Sequence, residues 1–193
     1  METIGILGGS FNPVHMGHIM IASYLTQWGI VDKVWLSISP LNPLKKAEEL
    51  IPDIKRLAML KLACSGIPGV QICDIELSMP TPSYTINTLK VLSKKYPSKR
   101  FKLIIGSDNW NVFEKWKDHE EILDNYGVIV YPRPGYPVQN KYVDGMGLVQ
   151  SPTVNLSGTF IRNALQKGKN MACFLPAGVY NYIIENNLYT SQK

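Results

Sequence analysis

Short apolar runs recur along the chain, and several of them are followed directly by glycine, proline or polar residues. Runs of this length and character are typical of strands in a parallel sheet that is covered on both faces. The predicted strands lie at residues 4–7, 33–39, 70–75, 101–105 and 127–131, with a weaker strand at 147–149.

Helical signals fill the segments between these strands. Residues 52–63 have apolar side chains at helical spacing, and Ser157 is a good N-cap for a helix that carries the apolar pair Ile161 and Leu165. Trp28 is expected on the apolar face of the first helix. Further helices are predicted with Asn12 as N-cap and Pro13 as first residue, with Ser83 as N-cap, and near residues 110–113, 122–123 and 179–186.

Strands that alternate with helices predict a doubly wound, mainly parallel α/β sheet of the Rossmann-like kind. The chain of 193 residues suits one domain, residues 1–193, in which a helical C-terminal segment from about residue 150 to 193 packs on the sheet. In such sheets ligands bind beyond the carboxyl ends of the strands. Glycine and polar residues collect at those ends, at 8–10, from 39 onward, at 106–108 and at 133.

Composition argues against a membrane-spanning or secreted protein. The apolar fraction of 45% and the charged fraction of 18% are ordinary, and no apolar run approaches the roughly 20 residues of a membrane span. Residues 1–3 lead straight into the first strand, so no secretory signal is expected. Three cysteines without a CxxC spacing indicate reduced thiols. These features predict a cytoplasmic protein without a membrane partner, and they leave the oligomeric state open.

The formal net charge of +5 favours anionic ligands. Lysine and arginine are scattered along the chain, and no basic run exceeds two residues. A small nucleotide explains this charge as well as a nucleic acid does, so we expect no nucleic-acid partner.

The clearest candidate for chemistry is residues 8–18, Gly-Gly-Ser-Phe-Asn-Pro-Val-His-Met-Gly-His. Gly8 and Gly9 let the backbone turn sharply and approach a ligand. Amide groups at a helix start suit an anion. His15 and His18 are three residues apart, so that on a helical turn they share a face and offer N–H donors to phosphate oxygens. We predict a phosphate site.

Other interpretations of these residues are open. A Gly-Gly turn after a strand is often only a turn, and two histidines three apart could be surface residues or metal ligands. A metal is disfavoured, because a carboxylate of the His-Glu-x-x-His kind is missing and His119 is the only other histidine. Taken singly, Trp116 could be a core residue, Asp108 a helix cap, and Arg133 and Arg162 surface charges.

Residues 8–18 resemble the signature of the nucleotidylyltransferase superfamily, whose core pattern is His-x-Gly-His. The pattern is shared by adenylyl- and cytidylyltransferases and, in related form, by class I aminoacyl-tRNA synthetases. It implies the type of reaction and leaves the substrate open.

Four further segments resemble the nicotinate-mononucleotide adenylyltransferases of bacterial NAD synthesis. Residues 156–162 are similar to that family's Ile-Ser-Ser-Thr-x-Ile-Arg, and residues 82–89 to its Ser-Tyr-Thr-x-Asp-Thr-Leu. Residues 105–109 with Trp116 resemble its Gly-x-Asp…Trp, and residues 133–136 its Arg-Pro-Gly-Tyr. The order matches, and the resemblance covers essentially the whole chain.

The chain departs from the family pattern at several positions. Ser10 and Asn12 stand for the commoner Thr and Asp, and Gly158 stands for a second Ser, which removes one possible phosphate donor. Residues 43–46 read Pro-Leu-Lys-Lys in place of Pro-Pro-His-Lys, and residues 78–79 lack a common basic pair.

The resemblance implies transfer of AMP from ATP to nicotinate mononucleotide, which gives nicotinate adenine dinucleotide and pyrophosphate. The catalytic residues it implies are His15, His18, Lys46 and Arg162. The ATP-binding residues it implies are Gly8, Gly9, Ser10, Phe11, Lys45, Asp108, Ser157 and Thr159. The mononucleotide-binding residues it implies are Thr85, Trp116, Lys117 and Arg133.

The expected cofactor is Mg²⁺, held mainly by the ATP phosphates, and no protein ligand set for a metal is expected. Two alternatives stay open. The chain could adenylylate another phosphate monoester, such as nicotinamide mononucleotide or phosphopantetheine, or it could be a nucleotide-sensing module without turnover.

Overall fold

The computed structural model describes residues 1–40, 50–138 and 144–190, and the strands of this part of the chain form one sheet. The strands are β1 (Glu2–Gly9), β2 (Lys33–Ile38), β3 (Val70–Cys73), β4 (Lys99–Gly106), β5 (Val128–Tyr131) and β6 (Met146–Leu148). The helices are α1 (Met16–Gln27), α2 (Asp53–Cys64), α3 (Thr85–Lys95), α4 (Ser107–Trp110), α5 (His119–Asn125), α6 (Gly158–Gln166) and α7 (Val179–Glu185). Short 3₁₀ helices lie at Ile75–Ser78, Phe113–Lys115 and Ala172–Phe174.

All strand pairs are parallel, in the order β3-β2-β1-β4-β5-β6. The chain builds the sheet outward from β1 to β3 and then returns to place β4 on the other side of β1. The order of the strands therefore reverses between β1 and β4, and ligands of such sheets bind at this switch point, beyond the carboxyl ends of the strands. The doubly wound sheet predicted from the sequence is confirmed.

The two faces of the sheet bury different sets of side chains, because successive strand residues point to opposite faces. Leu7 of β1 packs in a core that also holds residues of α1, α2, α6 and α7. Ile4 and Ile6 pack in the other core with residues of α3 and α5. Since α7 has only seven residues, burial of Val179 and Ile183 rather than helix propensity stabilises it.

The first helix begins later than the capping signals predict. Its N-cap is His15, and Asn12 and Pro13 belong to the preceding loop, so the expected helix start was wrong. The physical reason is tertiary: the Asn12 side chain accepts a hydrogen bond from the hydroxyl of Tyr189 at 2.7 Å, and Phe11 is buried with a φ of 45°. These contacts hold residues 10–15 as a non-helical loop.

Three smaller expectations were also wrong. Ser83 does not cap α3, whose N-cap is Tyr84. The third strand ends at Cys73, before a 3₁₀ helix that occupies Ile75–Ser78. Trp28 is 68% exposed at the end of α1, where its ring stacks on Tyr24 instead of packing in the core.

The helix predicted to follow Ser157 is confirmed, and the Ser157 hydroxyl accepts a hydrogen bond from the Phe160 amide at 3.2 Å. In the described ranges, no helix has both the length and the apolar character needed to cross a membrane. That residues 1–193 form a single domain stays a prediction.

Candidate active site

Two adjoining cavities open at the carboxyl edge of the sheet. The smaller, of about 40 Å³, is lined by His15, His18, Arg133 and residues 151–154. We call His15, His18 and Arg133, together with the start of α6 at residues 157–162, the histidine site. The larger, of about 230 Å³, is lined by Glu76, Tyr84, Thr85, Trp116 and Lys117 among others, and we call it the aromatic pocket. Tyr131 lines both cavities, so the two are neighbours at this residue.

The two histidines of the histidine site form a stacked pair at the start of α1. Their ring centroids are 3.7 Å apart with 23° between the ring planes, and the Phe11 ring packs edge-on against His18 at 5.0 Å. Nδ1 of His18 accepts a hydrogen bond from the His15 amide at 3.2 Å. A neutral imidazole that accepts at Nδ1 carries its proton on Nε2, so Nε2 is the donor atom of the His18 ring.

His15 is almost completely buried, with 5% of its surface exposed. Burial, and secondarily the nearby charge of Arg133, lowers the pKa of His15 to about 4. The ring is therefore neutral at pH 7. Its buried Nδ1 has no hydrogen-bond partner in the described part of the chain, and such an unpaired group costs roughly 1–3 kcal/mol. Such an atom is a candidate hydrogen-bond partner for a ligand of the smaller cavity.

Long-range contacts fix the loop that leads into these histidines. Nη1 of Arg162 donates to the Asn12 carbonyl at 2.8 Å, while the Asn12 side chain accepts from Tyr189. A Cβ on Gly158 would lie 2.9 Å from the same carbonyl, closer than carbon atoms approach oxygen in practice. The glycine that stands for the family's serine therefore lets the start of α6 come close to the loop.

Arg56 holds the other side of this loop, and the sequence analysis missed it. It is fully buried, pairs with Asp53 at 2.5 Å, and donates to the carbonyls of Ser10 and Ser39 at the ends of β1 and β2. A signal was present in the sequence, because an arginine stands at helical spacing from residues 59, 60 and 63 on the buried face of α2.

Arg133 lies beside the histidines. Its amide donates to the Ser107 hydroxyl at 2.9 Å, and its Nε lies 3.7 Å from Oδ2 of Asp108. The other carboxylate oxygen of Asp108 is buried without a hydrogen-bond partner in the described residues. Gly106 makes this arrangement possible, since a Cβ there would lie 2.6 Å from Cδ of Arg133.

The aromatic pocket is assembled from several elements. Gly8 and Gly9 at the end of β1 and Gly106 at the end of β4 contribute bare backbone. Nζ of Lys117 lies 4.8 Å from the centre of the Tyr84 ring. The Trp116 ring packs on Phe113 at 5.5 Å, and its buried Nε1 lacks a hydrogen-bond partner in the described ranges.

The predicted site residues thus fall into several groups. Thr85, Trp116 and Lys117 line the aromatic pocket, and so do Gly8 and Gly9, which the sequence analysis assigned to ATP. His15, His18 and Arg133 line the smaller cavity, with Asp108 beside Arg133. Ser157, Thr159 and Arg162 lie at the start of α6, which reaches the loop before the histidines through the bond from Arg162 to Asn12. Ser10 and Phe11 are buried in the loop between β1 and α1. Lys45 and Lys46 lie outside the described residues.

Within the described part of the chain, no group of three or more His, Cys, Asp or Glu side chains is arranged to hold a metal ion.

Comparison with known proteins identifies the family. The family model described as cytidylyltransferase-like matches residues 6–164. A Bacteroides thetaiotaomicron protein named as a probable nicotinate-nucleotide adenylyltransferase is 46% identical over 182 residues, which span 94% of this chain and 90% of that protein. A Flavobacterium johnsoniae protein of the same name is 40% identical over 189 residues, 96% of this chain and 98% of that protein.

Solved structures show the same fold. A Plasmodium falciparum nicotinic acid mononucleotide adenylyltransferase complexed with NaAD has a TM-score of 0.80 at 19% identity, with 98% of each chain covered. A Vibrio parahaemolyticus structure, described as a putative nicotinate-nucleotide adenylyltransferase, has a TM-score of 0.75 at 24% identity, with 100% of this chain and 98% of that chain covered. By the extent of these matches, the chain belongs to the nicotinate-nucleotide adenylyltransferase family, within the cytidylyltransferase-like proteins.

Proposed function

We propose that this protein transfers the AMP group of ATP to nicotinate mononucleotide and releases pyrophosphate. The observation that carries the proposal is the stacked pair His15 and His18, which lies at the switch point of the sheet and directly beside an aromatic pocket. A phosphate site and a site for a flat ring are what this reaction requires. The family of the chain supports the same substrates.

The reaction needs positioning and charge stabilisation more than proton transfer. The nucleophile is an oxygen of the mononucleotide phosphate, whose second pKa of about 6 leaves it largely ionised at neutral pH. It attacks the α-phosphorus of ATP in line with the departing pyrophosphate. Because negative charge gathers on the α-phosphate and the leaving group, preorganised donors at that point accelerate the step.

His18 is the proposed donor to the α-phosphate, through the proton on Nε2. The neutral His15 stacks behind it and holds a neighbouring phosphate oxygen. Ser157, Thr159 and Arg162 bind the β- and γ-phosphates at the start of α6, where the helix dipole favours negative charge. Lys45 and Lys46 are proposed as further phosphate ligands from the sequence alone.

The mononucleotide occupies the aromatic pocket in this proposal. Trp116 stacks on the pyridine ring, while Thr85, Lys117 and nearby backbone amides bind the ring carboxylate. Arg133, at the border with the histidine site, binds the mononucleotide phosphate. Donors alone at the carboxylate favour the acid over the amide, because the NH₂ of the amide would leave those donors unpaired.

ATP binds with its phosphates at the histidine site and extends over the turn at the end of β1, where Gly8 and Gly9 also line the border of the aromatic pocket. Gly8, Gly9, Ser10 and Phe11 form that turn, and Asp108 accepts from ribose hydroxyls or from adenine. Mg²⁺ accompanies the nucleotide, neutralises phosphate charge and is held by phosphate oxygens and water, which are the ligands this ion prefers. A cytoplasmic location remains a prediction from the sequence.

The test is to measure pyrophosphate release from ATP with nicotinate mononucleotide, nicotinamide mononucleotide and phosphopantetheine in parallel. We expect the highest kcat/KM with nicotinate mononucleotide. A higher value with either of the other acceptors would transfer the assignment to that substrate. ATP binding without pyrophosphate release from any acceptor would indicate a nucleotide-sensing module.

A further inference from the structure

One charged group of the aromatic pocket has no part in the function proposed so far. Glu76 lies in the 3₁₀ helix Ile75–Ser78, just after β3, and lines the pocket together with Tyr84 and Trp116. Only 8% of its surface is exposed. Glutamate is rarely buried to this extent unless something pairs with it.

The two partners of Glu76 are neutral. The Ser37 hydroxyl donates to one carboxylate oxygen at 2.9 Å, and the Ser83 hydroxyl donates to the other at 3.0 Å. Both serines are buried as well. In the described ranges no lysine, arginine or histidine forms an ion pair with Glu76. Two hydroxyl donors orient the carboxylate without neutralising it, so its charge acts on the pocket.

The pocket is also lined by Lys115 and Lys117, which suit a ligand carboxylate, and Glu76 is the one carboxylate among its described lining residues. The faces of aromatic rings attract positive charge, and Trp does so most strongly. Tyr84 already has the ammonium group of Lys117 over its ring at 4.8 Å. Trp116 lines the same cavity. A carboxylate and two aromatic side chains around one cavity suit a flat ligand with a positive ring.

We infer that Glu76 determines specificity by recognising the positive charge of an N-ribosylated pyridinium ring. The inference rests on the proposed function, in which such a ring enters this pocket. Beyond the proposed function, it states that the enzyme recognises the positive charge of the ring as well as the carboxylate attached to the ring. Two unit charges separated by a few ångströms interact strongly even at an effective dielectric constant of about 20.

The ligand pair that isolates ring charge is nicotinate mononucleotide and its 1,4-dihydro form. The two have the same phosphate, ribose and carboxylate, but the ring of the dihydro form is neutral. We expect the wild-type protein to bind the oxidised form at least about tenfold more tightly, measured by calorimetry without ATP. Equal affinity for the two forms would overturn the inference without any variant.

The variant test is Glu76→Gln, which removes the charge and keeps the shape. A glutamine can keep both neighbours, because a serine hydroxyl can accept a hydrogen bond as well as donate one. We expect the Kd of the oxidised mononucleotide to rise about tenfold or more, with the Kd of the dihydro form changed less than about twofold. The KM of ATP and the ratio of acid to amide turnover should stay constant.

Ser83→Ala is the matched control, because it removes one hydrogen bond to Glu76 and leaves the charge. It should weaken binding of both ring forms alike. If Glu76→Gln lowers the affinity for both ring forms equally, Glu76 is a structural residue. If the variant binds the oxidised acid more tightly than wild type does, Glu76 only repels the ligand carboxylate. Either result overturns the inference.

The proposed function fails separately, if wild-type protein releases no pyrophosphate with nicotinate mononucleotide.

Discussion

The histidine site and the aromatic pocket adjoin each other, yet they are built in opposite ways. The two histidines of the histidine site follow one loop, which Arg162 holds through the Asn12 carbonyl and Tyr189 through the Asn12 side chain. The aromatic pocket is lined by side chains from separate elements, including Trp116 and Thr85. The cavity at the histidine site has about 40 Å³, and the aromatic pocket has about 230 Å³.

This difference separates two tasks of the proposed reaction. Donors held rigidly in a small, dry site act best on charge that develops in the transition state, which affects kcat. A roomy pocket with aromatic walls binds a substrate before any bond changes, which affects KM. Substitutions in the two regions should therefore have different kinetic signatures.

The largest effect is expected from His18→Ala. Removing a donor from the α-phosphate should lower kcat by about 10²–10³-fold with little change in the KM of the mononucleotide. The measurement is steady-state pyrophosphate release, with His119→Gln as the control for loss of a histidine elsewhere. Turnover near that of wild type in His18→Ala would remove this residue from the mechanism.

The pH dependence of the free energy of unfolding tests whether His15 is buried and neutral in the histidine site. The pKa of His15 is about 4 in the folded protein, and it is about 6.5 when unfolded. The unfolded state therefore takes up a proton first as the pH falls. The contribution of His15 to the free energy of unfolding should be full above about pH 6.5, fall by on the order of 3 kcal/mol between pH 6.5 and 4, and change no further below.

The measurement is urea unfolding of wild type and His15→Gln from pH 7.5 to pH 4. Glutamine does not titrate, so the variant should lose this part of the slope, whereas His119→Gln should keep it. The same slope in wild type and His15→Gln would contradict a neutral, buried His15.

Trp116→Ala tests the role of the aromatic pocket in binding the mononucleotide. Stacking of an aromatic ring on a base contributes about 1–3 kcal/mol, so the KM of the mononucleotide should rise roughly fivefold to a hundredfold. The KM of ATP should be unchanged. Trp28→Ala, at a tryptophan that is 68% exposed on α1, is the matched control. Weaker ATP binding with normal mononucleotide binding would reverse the assignment of the two cavities.

The smallest effect is expected from Tyr189→Phe, which removes the hydrogen bond to Asn12. Loss of one such bond is worth about 0.5–1.5 kcal/mol, so kcat should fall about threefold to tenfold if the loop loosens. The KM of the mononucleotide should not change, because Tyr189 does not line the aromatic pocket. Tyr180→Phe, in the same part of the chain, serves as control, and equal kcat in the two variants would show that the loop does not need this bond.

Much of the fold could be predicted because strands and helices depend on residues that are close in sequence. A few neighbouring residues are enough to recognise the apolar run before Gly8 and the helix cap at Ser157. Both predicted elements, β1 and α6, are present in the structure. The position of the histidines at a helix start was predicted for the same reason, although the helix begins only at Met16, with His15 as its N-cap.

Glu76 and Arg56 show why the rest of the site could not be predicted. In the sequence alone, Glu76 is a glutamate after a strand and Arg56 is an arginine in a helix, and both residue types are usually exposed. Their roles depend on hydroxyls and carbonyls that arrive from other elements, such as Ser37 of β2 and Ser39 beyond it.

The sequence by itself determined the alternation of strands and helices, the glycine turn and the presence of paired histidines at its end. Only the tertiary structure decided which groups face one another. Asn12 accepts from Tyr189 and Arg162, which lie 177 and 150 positions further along the chain. Local propensity acts over a few residues, whereas these contacts exist only once the sheet has brought distant segments together.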